Sequence, residues 1–410
     1  PAMSPRPAPR GAQRSRPDPA PDLARIRGAL ARGAGLGQAL NEGAAPTTGA
    51  TGIASLTRLV HADVDGAGAA LTPLLEAEGV TDVLVGGGMT WIDRGSGLEP
   101  VPAARLDEPE ARALAVRMAA SAGRRLDDAA PIVDATLSDG TRLNAVLPPL
   151  SADGTLICLR TKRRRAFTLP ELVDAGTIAS GLDHTLAALV ERRASCLITG
   201  ATGTGKTTLL AAILGLVPTD ERIVCIEEAS ELAPDHPHVI HLQERGDNVQ
   251  GVGAVPMTVL VRTALRMRPD RIVLGECRGP EVRDVLTALN TGHEGGWATL
   301  HANSPADVPA RLTALGALAG LDEIAVAAQA GSALDAVIHL RREAHPSGAQ
   351  RRIASLGLLT RGRDGRLACH EALRVQPDGA IEAGAAYEGL LALTGGAGGP
   401  TASAEMGEAS

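Results

Sequence analysis

Residues 195–208 read Ser-Cys-Leu-Ile-Thr-Gly-Ala-Thr-Gly-Thr-Gly-Lys-Thr-Thr, and this stretch decides the fold. Its apolar start predicts a buried strand, its Gly-x4-Gly-Lys-Thr centre predicts a tight loop, and the apolar residues 209–214 predict a helix. Strand, glycine loop and helix in this order are typical of a P-loop, which binds the phosphates of a nucleotide. A chance turn of glycine and threonine is the alternative, and the match of all three elements disfavours it.

Each part of this loop has a chemical purpose. Glycines let backbone N–H groups turn inward around phosphate oxygens, and the following helix adds its own free N–H groups. Lys206 can reach the β- and γ-phosphates of ATP, and the Thr207 hydroxyl can ligate Mg²⁺. Of 40 Lys and Arg residues only Lys162 and Lys206 are lysines, which suggests that a compact ammonium is required in the loop. The predicted nucleotide-binding residues are Gly200, Ala201, Thr202, Gly203, Thr204, Gly205, Lys206, Thr207 and Thr208.

The composition disfavours several classes of protein. The chain has 410 residues, enough for two or three domains, with a formal net charge of −7 and a pI near 5.8. This charge argues against a surface that attracts nucleic acid throughout, and an aromatic content of 1% argues against a platform for stacking bases. We therefore expect no nucleic-acid partner.

Cysteines and apolar runs bear on the compartment. The five cysteines form no C-x-x-C pair, which predicts a reducing cytosol without a zinc module or a disulfide framework. No run of 18 apolar residues occurs, so we expect no transmembrane segment. The Pro- and Arg-rich start lacks the apolar centre of a secretory signal.

Hydrophobic patterning predicts a smaller N-terminal α/β domain and a larger α/β domain. The smaller domain contains two predicted hairpins, at residues 80–93 and 132–147. From Leu169 strands and helices alternate, which predicts a mostly parallel, doubly wound sheet, and residues 336–340, 351–359 and 367–375 predict added antiparallel strands. The predicted segments are a disordered tail at 1–21, a helix and linker at 22–52, the N-terminal domain at 53–160, a basic linker at 161–168, the larger domain at 169–393 and a disordered tail at 394–410.

Hydrolysis of a bound nucleotide needs carboxylates near the γ-phosphate, and two predicted strands end in them. Residues 222–226 are followed by Glu227 and Glu228, and residues 271–275 by Glu276. Because the strand ends of a doubly wound sheet gather at its carboxyl edge, these acids are candidate catalytic residues. The alternative is that they are ordinary surface acids.

A third candidate, His301, follows the predicted strand 297–300 and can face the same edge. A neutral imidazole there would hydrogen-bond a γ-phosphate or its attacking water, and hydrolysis would remove that contact. A structural histidine is the alternative, and Asn303 and Ser304 on the same turn leave both interpretations open. The basic run Lys162–Arg165 is likewise either a solvated linker or the edge of a phosphate site.

Together these blocks resemble the traffic ATPases of bacterial secretion, which power type II and type IV secretion, and in particular the branch of tight-adherence (Flp) pilus assembly. Residues 200–208 resemble its Walker A box and 226–232 its Asp box. Residues 266–279 resemble its Walker B segment, which ends in Gly-Glu, and 292–304 its His box. The similarity covers about residues 53–380, and it implies a RecA-like P-loop motor domain preceded by a smaller α/β domain.

The resemblance also implies an activity and its partners. The protein would hydrolyse ATP with Mg²⁺ as a homohexameric ring, in the cytoplasm and peripheral at the inner face of the cytoplasmic membrane, and would push inner-membrane platform proteins. Glu276 would position the attacking water, and His301 would sense the γ-phosphate. The implied catalytic residues are Glu276, Glu228, Glu227, His301, and the arginine-finger candidates Arg142 and Arg160, with Arg266 as a further candidate.

The sequence departs from the family pattern in some places. Glu228 stands where Asp is more frequent, and Gly86–Gly88 replaces a more usual Asn-Gly. The tetracysteine zinc module of some type II members is missing, and the C-terminal Arg-Asn motif of the retraction branch is not evident, which favours assembly over retraction.

Two other functions stay open. A P-loop regulator would bind nucleotide but hydrolyse little, and Glu276 argues against it. A RecA-like nucleic-acid motor is disfavoured by the acidic pI and the scarce aromatic residues. A GTPase is poorly supported, because the guanine-reading Asn-Lys-x-Asp cannot occur when the lysines are at 162 and 206.

Overall fold

A computed structural model describes residues 66–95, 97–161, 165–247, 252–345 and 348–396, together with residue 57 and part of 25–43. These residues form two sheets, each with its own helices and hydrophobic core. The predicted tail at 1–21, residues 397–410 of the predicted C-terminal tail, and residues 162–164 of the basic run lie outside the described residues.

The N-terminal sheet has six strands, all paired antiparallel. Its elements, after α1 (Leu36–Gly43), are α2 (Gly68–Leu75), β1 (Asp82–Gly86), β2 (Met89–Asp93), β3 (Leu98–Pro100), α3 (Glu108–Ser121), β4 (Ile132–Thr136), β5 (Arg142–Val146) and β6 (Leu156–Arg160). The spatial order is β3-β2-β1-β6-β5-β4, and both predicted hairpins form. Burial alternates along every strand but β3, which is exposed, because one face packs against α3. Helix α3 begins at a capping box of Asp107 and Glu110.

The larger domain contains nine strands in one sheet. Its elements are α4 (Leu169–Asp174), α5 (Leu182–Glu191), β7 (Cys196–Thr199), α6 (Lys206–Leu214), β8 (Ile223–Glu227), β9 (Val239–Gln243), α7 (Met257–Ala264), β10 (Arg271–Leu274), α8 (Glu281–Leu289), β11 (Trp297–Leu300), α9 (Val308–Leu318), α10 (Glu323–Ala333), β12 (Ala336–His345), β13 (Gly348–Arg361), β14 (Leu367–Val375), β15 (Ile381–Ala383) and α11 (Tyr387–Thr394).

The strand order of this sheet is β15-β14-β13-β12-β7-β11-β10-β8-β9. The strands from β12 to β9 pair in parallel, whereas β13, β14 and β15 are antiparallel. The central strands β7, β8, β10 and β11 are buried at every position, because helices cover both faces, and this explains their continuous apolar sequence. The predicted doubly wound α/β architecture is confirmed.

Some elements differ from the prediction. The strand predicted at 336–340 as an added antiparallel strand continues to His345 and pairs in parallel with β7 on one side. The sequence pattern also did not predict α10, which together with α9 forms the connection from β11 to β12, because its many alanines give a weak amphipathic pattern. It missed α11 as well, which reaches Thr394, where a disordered tail was predicted to begin. The predicted domain limits remain a prediction.

In the described part of the chain, no single helix is long and apolar enough to cross a membrane. Pro305–Leu318 and Glu323–Ala333, bent by 118° at the break between them, pass that test as a pair by length and composition alone.

Candidate functional site

The glycine loop between β7 and α6 lies at the carboxyl edge of the sheet. Gly200, Gly203 and Gly205 have φ angles of +147°, +75° and +94°, which L side chains rarely adopt. A Cβ on Gly200 would lie 2.5 Å from the carbonyl oxygen of Leu340 in β12. Glycine is therefore required in this loop both by backbone conformation and by the close approach of a neighbouring strand.

Lys206 begins α6 and is buried against the loop. Its Nζ donates hydrogen bonds to the carbonyl oxygens of Gly200 at 3.1 Å and Ala201 at 3.0 Å. The Thr204 hydroxyl also donates to Ala201, at 2.9 Å. Burial lowers the pKa of Lys206 from its ordinary value, and the charge of Glu276 opposes this effect. The ammonium thus lies inside the curve of the loop.

Glu276 follows β10 and His301 follows β11, and these neighbouring parallel strands bring the two side chains together. Nε2 of His301 lies 2.8 Å from Oε1 of Glu276 and 3.4 Å from Nζ of Lys206. The lysine, acid and histidine singled out from the sequence therefore form one cluster.

One oxygen of this cluster lacks a directed donor. Oε1 of Glu276 is buried and accepts no hydrogen bond from the described residues. Nε of Arg278 lies 2.6 Å from this oxygen and Nε2 of His301 lies 2.8 Å from it, but neither contact has the geometry of a hydrogen bond. The oxygen is thus in an ion pair with Arg278 but still lacks a hydrogen bond, which a water or another donor could supply.

Arg278 is the residue of this cluster that sequence analysis missed. Its Nη2 donates to Oε2 of Glu276 at 2.8 Å, and its Nη1 donates to Oε2 of Glu228 at 2.8 Å. One guanidinium therefore joins the acids that follow β10 and β8, which are neighbouring strands. The sequence offers one clue to its role, since Arg278 stands two residues after Glu276, but spacing does not show where the side chain of a loop residue points.

The two acids after β8 have different environments. Glu227 is 2% exposed, and its Oε1 accepts hydrogen bonds from the backbone N–H groups of Glu231 at 2.9 Å and Leu232 at 2.8 Å. It therefore stabilises the turn after β8. Glu228 instead contacts Arg278; burial raises the pKa of Glu228, and Arg278 opposes this shift. Of the two acids, Glu228 is the one that lies in the cluster.

The arginine-finger candidates lie in different places. Arg142 on β5 donates from Nη1 to Oε1 of Glu231 in the larger domain, at 3.0 Å. Arg160 lies opposite Arg142 on β6, but its Nε donates to Asp82 of the same sheet, at 3.0 Å. Arg266 is exposed after α7. Arg142 is therefore the candidate that reaches the larger domain from the N-terminal one.

A cleft lies where the N-terminal sheet meets the carboxyl edge of the larger sheet. Its lining includes Arg142, Thr207, Glu227, Glu228, Glu276 and Arg278. Beside the cleft, Nε2 of Gln243 donates to the Thr136 hydroxyl at 3.3 Å, and Arg124 donates to the carbonyl oxygen of Asp247 at 2.7 Å. These contacts hold the two domains together around the cleft.

The charge state of His301 follows from its surroundings. Burial is the main reason that the pKa of His301 lies below its ordinary value, and the ammonium of Lys206 lowers it further. Glu276 opposes both effects. These surroundings favour the neutral imidazole, in which one nitrogen donates and one accepts a hydrogen bond.

The residues of the cleft fit a nucleoside triphosphate with Mg²⁺. At Gly200 the loop brings its backbone so close to β12 that a Cβ would not fit. Lys206 supplies a cation, and one carboxylate oxygen of Glu276 accepts no hydrogen bond from the described residues. In the described part of the chain no group of three or more His, Cys, Asp or Glu could hold a metal ion. Mg²⁺ in nucleotide sites takes few protein ligands and keeps waters and phosphate oxygens, and Thr207, which lines the cleft, carries a hydroxyl that suits it.

Comparison with known proteins gives consistent results. The family model for the Type II/IV secretion system protein matches residues 103–387. A "Putative conjugal transfer protein" of Mycobacterium tuberculosis is 48% identical over 326 residues, which cover 78% of this chain and 91% of that protein. The "Type IV secretion system protein PtlH" of Bordetella pertussis is 34% identical over 271 residues, covering 60% of this chain and 79% of that protein.

A solved structure supports the fold. The crystal structure of the pilus retraction motor PilT with bound ADP is similar with a TM-score of 0.50 and 21% sequence identity, covering 70% of this chain and 81% of that chain. At this identity the similarity bears on the fold alone.

Proposed function

The chain belongs to the Type II/IV secretion system protein family, and from this premise we propose that it hydrolyses ATP as a homohexameric ring that drives pilus assembly or protein secretion. The observation that carries the proposal is the cluster of Lys206, His301 and Glu276, whose contacts are 3.4 Å and 2.8 Å. A phosphate loop without an acid would bind nucleotide, whereas this loop has a carboxylate beside it.

In the proposed reaction each side chain has a separate task. The loop N–H groups and the ammonium of Lys206 bind the β- and γ-phosphates. Glu276 accepts a hydrogen bond from the attacking water and orients it, and the neutral imidazole of His301 contacts the γ-phosphate until hydrolysis removes it. Thr207 would hold Mg²⁺, which supplies positive charge to the phosphate oxygens.

Arg142 is proposed to link the reaction to movement of the N-terminal domain. Its partner Glu231 is exposed by 36% and Arg142 by 33%, so their ion pair is weak enough to exchange. When ATP is bound, Arg142 leaves Glu231 for the phosphates, and the domains close around the nucleotide. Arg160 lies next to it and is the second candidate for this task.

Partners and location are proposed from the family. The ring would contact inner-membrane platform proteins at the cytoplasmic face of the membrane, with no nucleic acid required. The assignment to the tight-adherence branch rests on the sequence motifs alone. The proposed limits of the two domains are 53–160 and 169–393, with a linker at 161–168.

The test is to measure ATP hydrolysis by the full chain against protein concentration, with the mass of the assembly measured at each point. Activity is expected to rise with a hexameric species, and Lys206→Ala is expected to abolish it, whereas exposed Arg366→Ala is expected to have no effect. A Lys206→Ala protein with normal turnover would refute the proposal. Bound ATP without turnover, even with membrane partners, would favour the regulator, and stimulation by DNA would favour a nucleic-acid motor.

A further inference from the structure

Strands β12 and β13 extend past the end of β7 and run beside the P-loop. β12 pairs with β7 as far as His339 opposite Thr199, where β7 ends, and then continues to His345. On this extension Arg342 lies directly opposite Arg351 of β13, so both side chains share one face of the pair.

Both arginines approach the P-loop. Nε of Arg351 donates a hydrogen bond to the carbonyl oxygen of Gly203 at 2.9 Å. Nη1 of Arg342 lies 3.8 Å from the position that a Cβ would take on Gly203. The terminal nitrogens of Arg351 also lie 3.6 and 3.7 Å from the corresponding position on Gly95, in the turn after β2. Two guanidinium groups thus meet where the P-loop faces the N-terminal domain.

Within the described part of the chain, the charge of this arginine pair is not neutralised by an acidic side chain. Among the described residues no carboxylate forms an ion pair with Arg342 or Arg351. On the other face of the same two strands, Arg352 donates to both oxygens of Glu343, at 3.0 and 2.8 Å. Because like charges directly opposite each other destabilise paired strands, the unneutralised pair favours a bound anion as its partner.

The order of the strands indicates which part of a nucleotide lies here. β12 is on one side of β7, whereas β11 and β10 are on the other. His301 and Glu276, assigned above to the γ-phosphate, follow β11 and β10. A triphosphate whose γ end points toward those residues directs its opposite end, the α-phosphate and the nucleoside, toward β12 and β13.

We propose that Arg351 and Arg342 bind the α-phosphate and ribose end of the nucleotide. This inference rests on the proposed function, since it takes ATP as the ligand. Guanidinium groups form charge-assisted hydrogen bonds with phosphate oxygens, and Arg351 is already oriented by the carbonyl of Gly203. Because the guanidinium of Arg351 also lies close to the turn at Gly95, the nucleotide would lie between both domains at this end.

The experiment compares the binding of ATP and of inorganic pyrophosphate to the full chain by titration calorimetry. Pyrophosphate carries two phosphates for the loop and Lys206 but lacks the nucleoside. In Arg351→Ala and in Arg342→Ala, the Kd for ATP is expected to rise about tenfold or more, because a hydrogen bond to a charged group is lost. The Kd for pyrophosphate is expected to change less than about threefold.

Two further variants distinguish binding of the nucleotide by Arg351 from support of the P-loop conformation. Arg341→Ala, on the opposite face of β12, is expected to leave both Kd values unchanged, and Arg351→Lys is expected to restore part of the ATP affinity. If Arg351→Ala raises the Kd for ATP and the Kd for pyrophosphate by the same factor, Arg351 only supports the conformation of the P-loop, and the inference is overturned. Normal ATP affinity in both alanine variants would overturn it too.

The inference and the proposed function can fail separately. If Lys206→Ala still hydrolyses ATP, the proposed function is refuted whatever the arginine variants do. If Lys206→Ala is inactive but Arg351→Ala and Arg342→Ala bind ATP normally, the motor proposal stands and the arginine site is refuted. Loss of Arg351 removes a hydrogen bond to the loop and could disturb folding. Arg342→Ala tests the inference in that case as well, because the described contacts show no hydrogen bond from Arg342 to the loop.

Discussion

His301 Nε2 lies 2.8 Å from Oε1 of Glu276, because the strands that carry them are parallel neighbours and both residues follow the carboxyl end of their strand. The same nitrogen is 3.4 Å from the ammonium of Lys206. If Lys206 binds the γ-phosphate, loss of that phosphate would therefore alter the surroundings of Glu276 through one side chain, His301.

Glu276→Gln is expected to lower kcat for ATP hydrolysis about 10²-fold or more while ATP still binds, because the amide keeps the shape of the side chain but loses the charge that orients the water. Phosphate release measures the first effect and calorimetry the second. Glu382→Gln, an exposed acid on β15, is the matched control and should change neither. Wild-type turnover in Glu276→Gln would contradict the assignment of Glu276.

Arg278→Ala is expected to shift the acidic limb of the kcat–pH profile to higher pH. Burial raises the pKa of Glu228, and Arg278 lowers it more than Arg142 does, so removal of Arg278 leaves only the weaker opposition of Arg142 and Glu228 becomes protonated at higher pH. Arg278→Lys should return part of the limb toward its original position, and exposed Arg366→Ala should not move it. An unchanged profile in Arg278→Ala would show that this arginine does not influence the reaction.

Arg142→Ala is expected to lower kcat by about 10²-fold or more, with a smaller effect on the Kd for ATP, since an arginine finger acts mainly in the transition state. The charge exchange Arg142→Glu with Glu231→Arg distinguishes this role from a purely interdomain ion pair. If Arg142 acts on phosphate, the exchanged protein stays inactive although the ion pair can form again. Recovery of turnover in the exchanged protein would assign Arg142 to domain contact.

The stability of the fold is expected to depend on pH through His339. This residue of β12 is 2% exposed and shares a hydrogen bond with the Thr199 hydroxyl at 2.9 Å. Burial, assisted by Arg341, lowers the pKa of His339 from 6.5 to about 4. Between these values the unfolded chain binds a proton that the folded chain does not, so the free energy of unfolding falls as the pH decreases, by about 1–3 kcal/mol in all.

Urea unfolding of the wild type and of His339→Gln at about pH 7.5 and about pH 5 measures this contribution. The wild type should lose more stability on acidification than the variant, because glutamine does not titrate. His184→Gln, at a side chain that is 76% exposed, is the control and should behave like the wild type. An identical loss in His339→Gln and the wild type would refute the role of His339.

Prediction from sequence located features that neighbouring residues determine, while the roles assigned to these residues remain predictions. The P-loop was located because glycines with positive φ, a buried lysine and a helix start must be adjacent in the chain. Glu228, Glu276 and His301 were located because each lies within two residues of the end of an apolar strand. Glu227 shows the limit of this approach, since it looks like Glu228 in the sequence but its side chain turns inward to bind Glu231 and Leu232.

The sequence by itself therefore determined the fold class, the phosphate loop and the set of acids at one edge of the sheet, because these depend on short-range pattern. Tertiary structure decided which side chains meet: Arg278 with Glu228 and Arg351 with Gly203. Such pairs depend on the order of the strands and on crossovers such as α10, which bring together residues that are far apart along the chain. No local pattern carries that information.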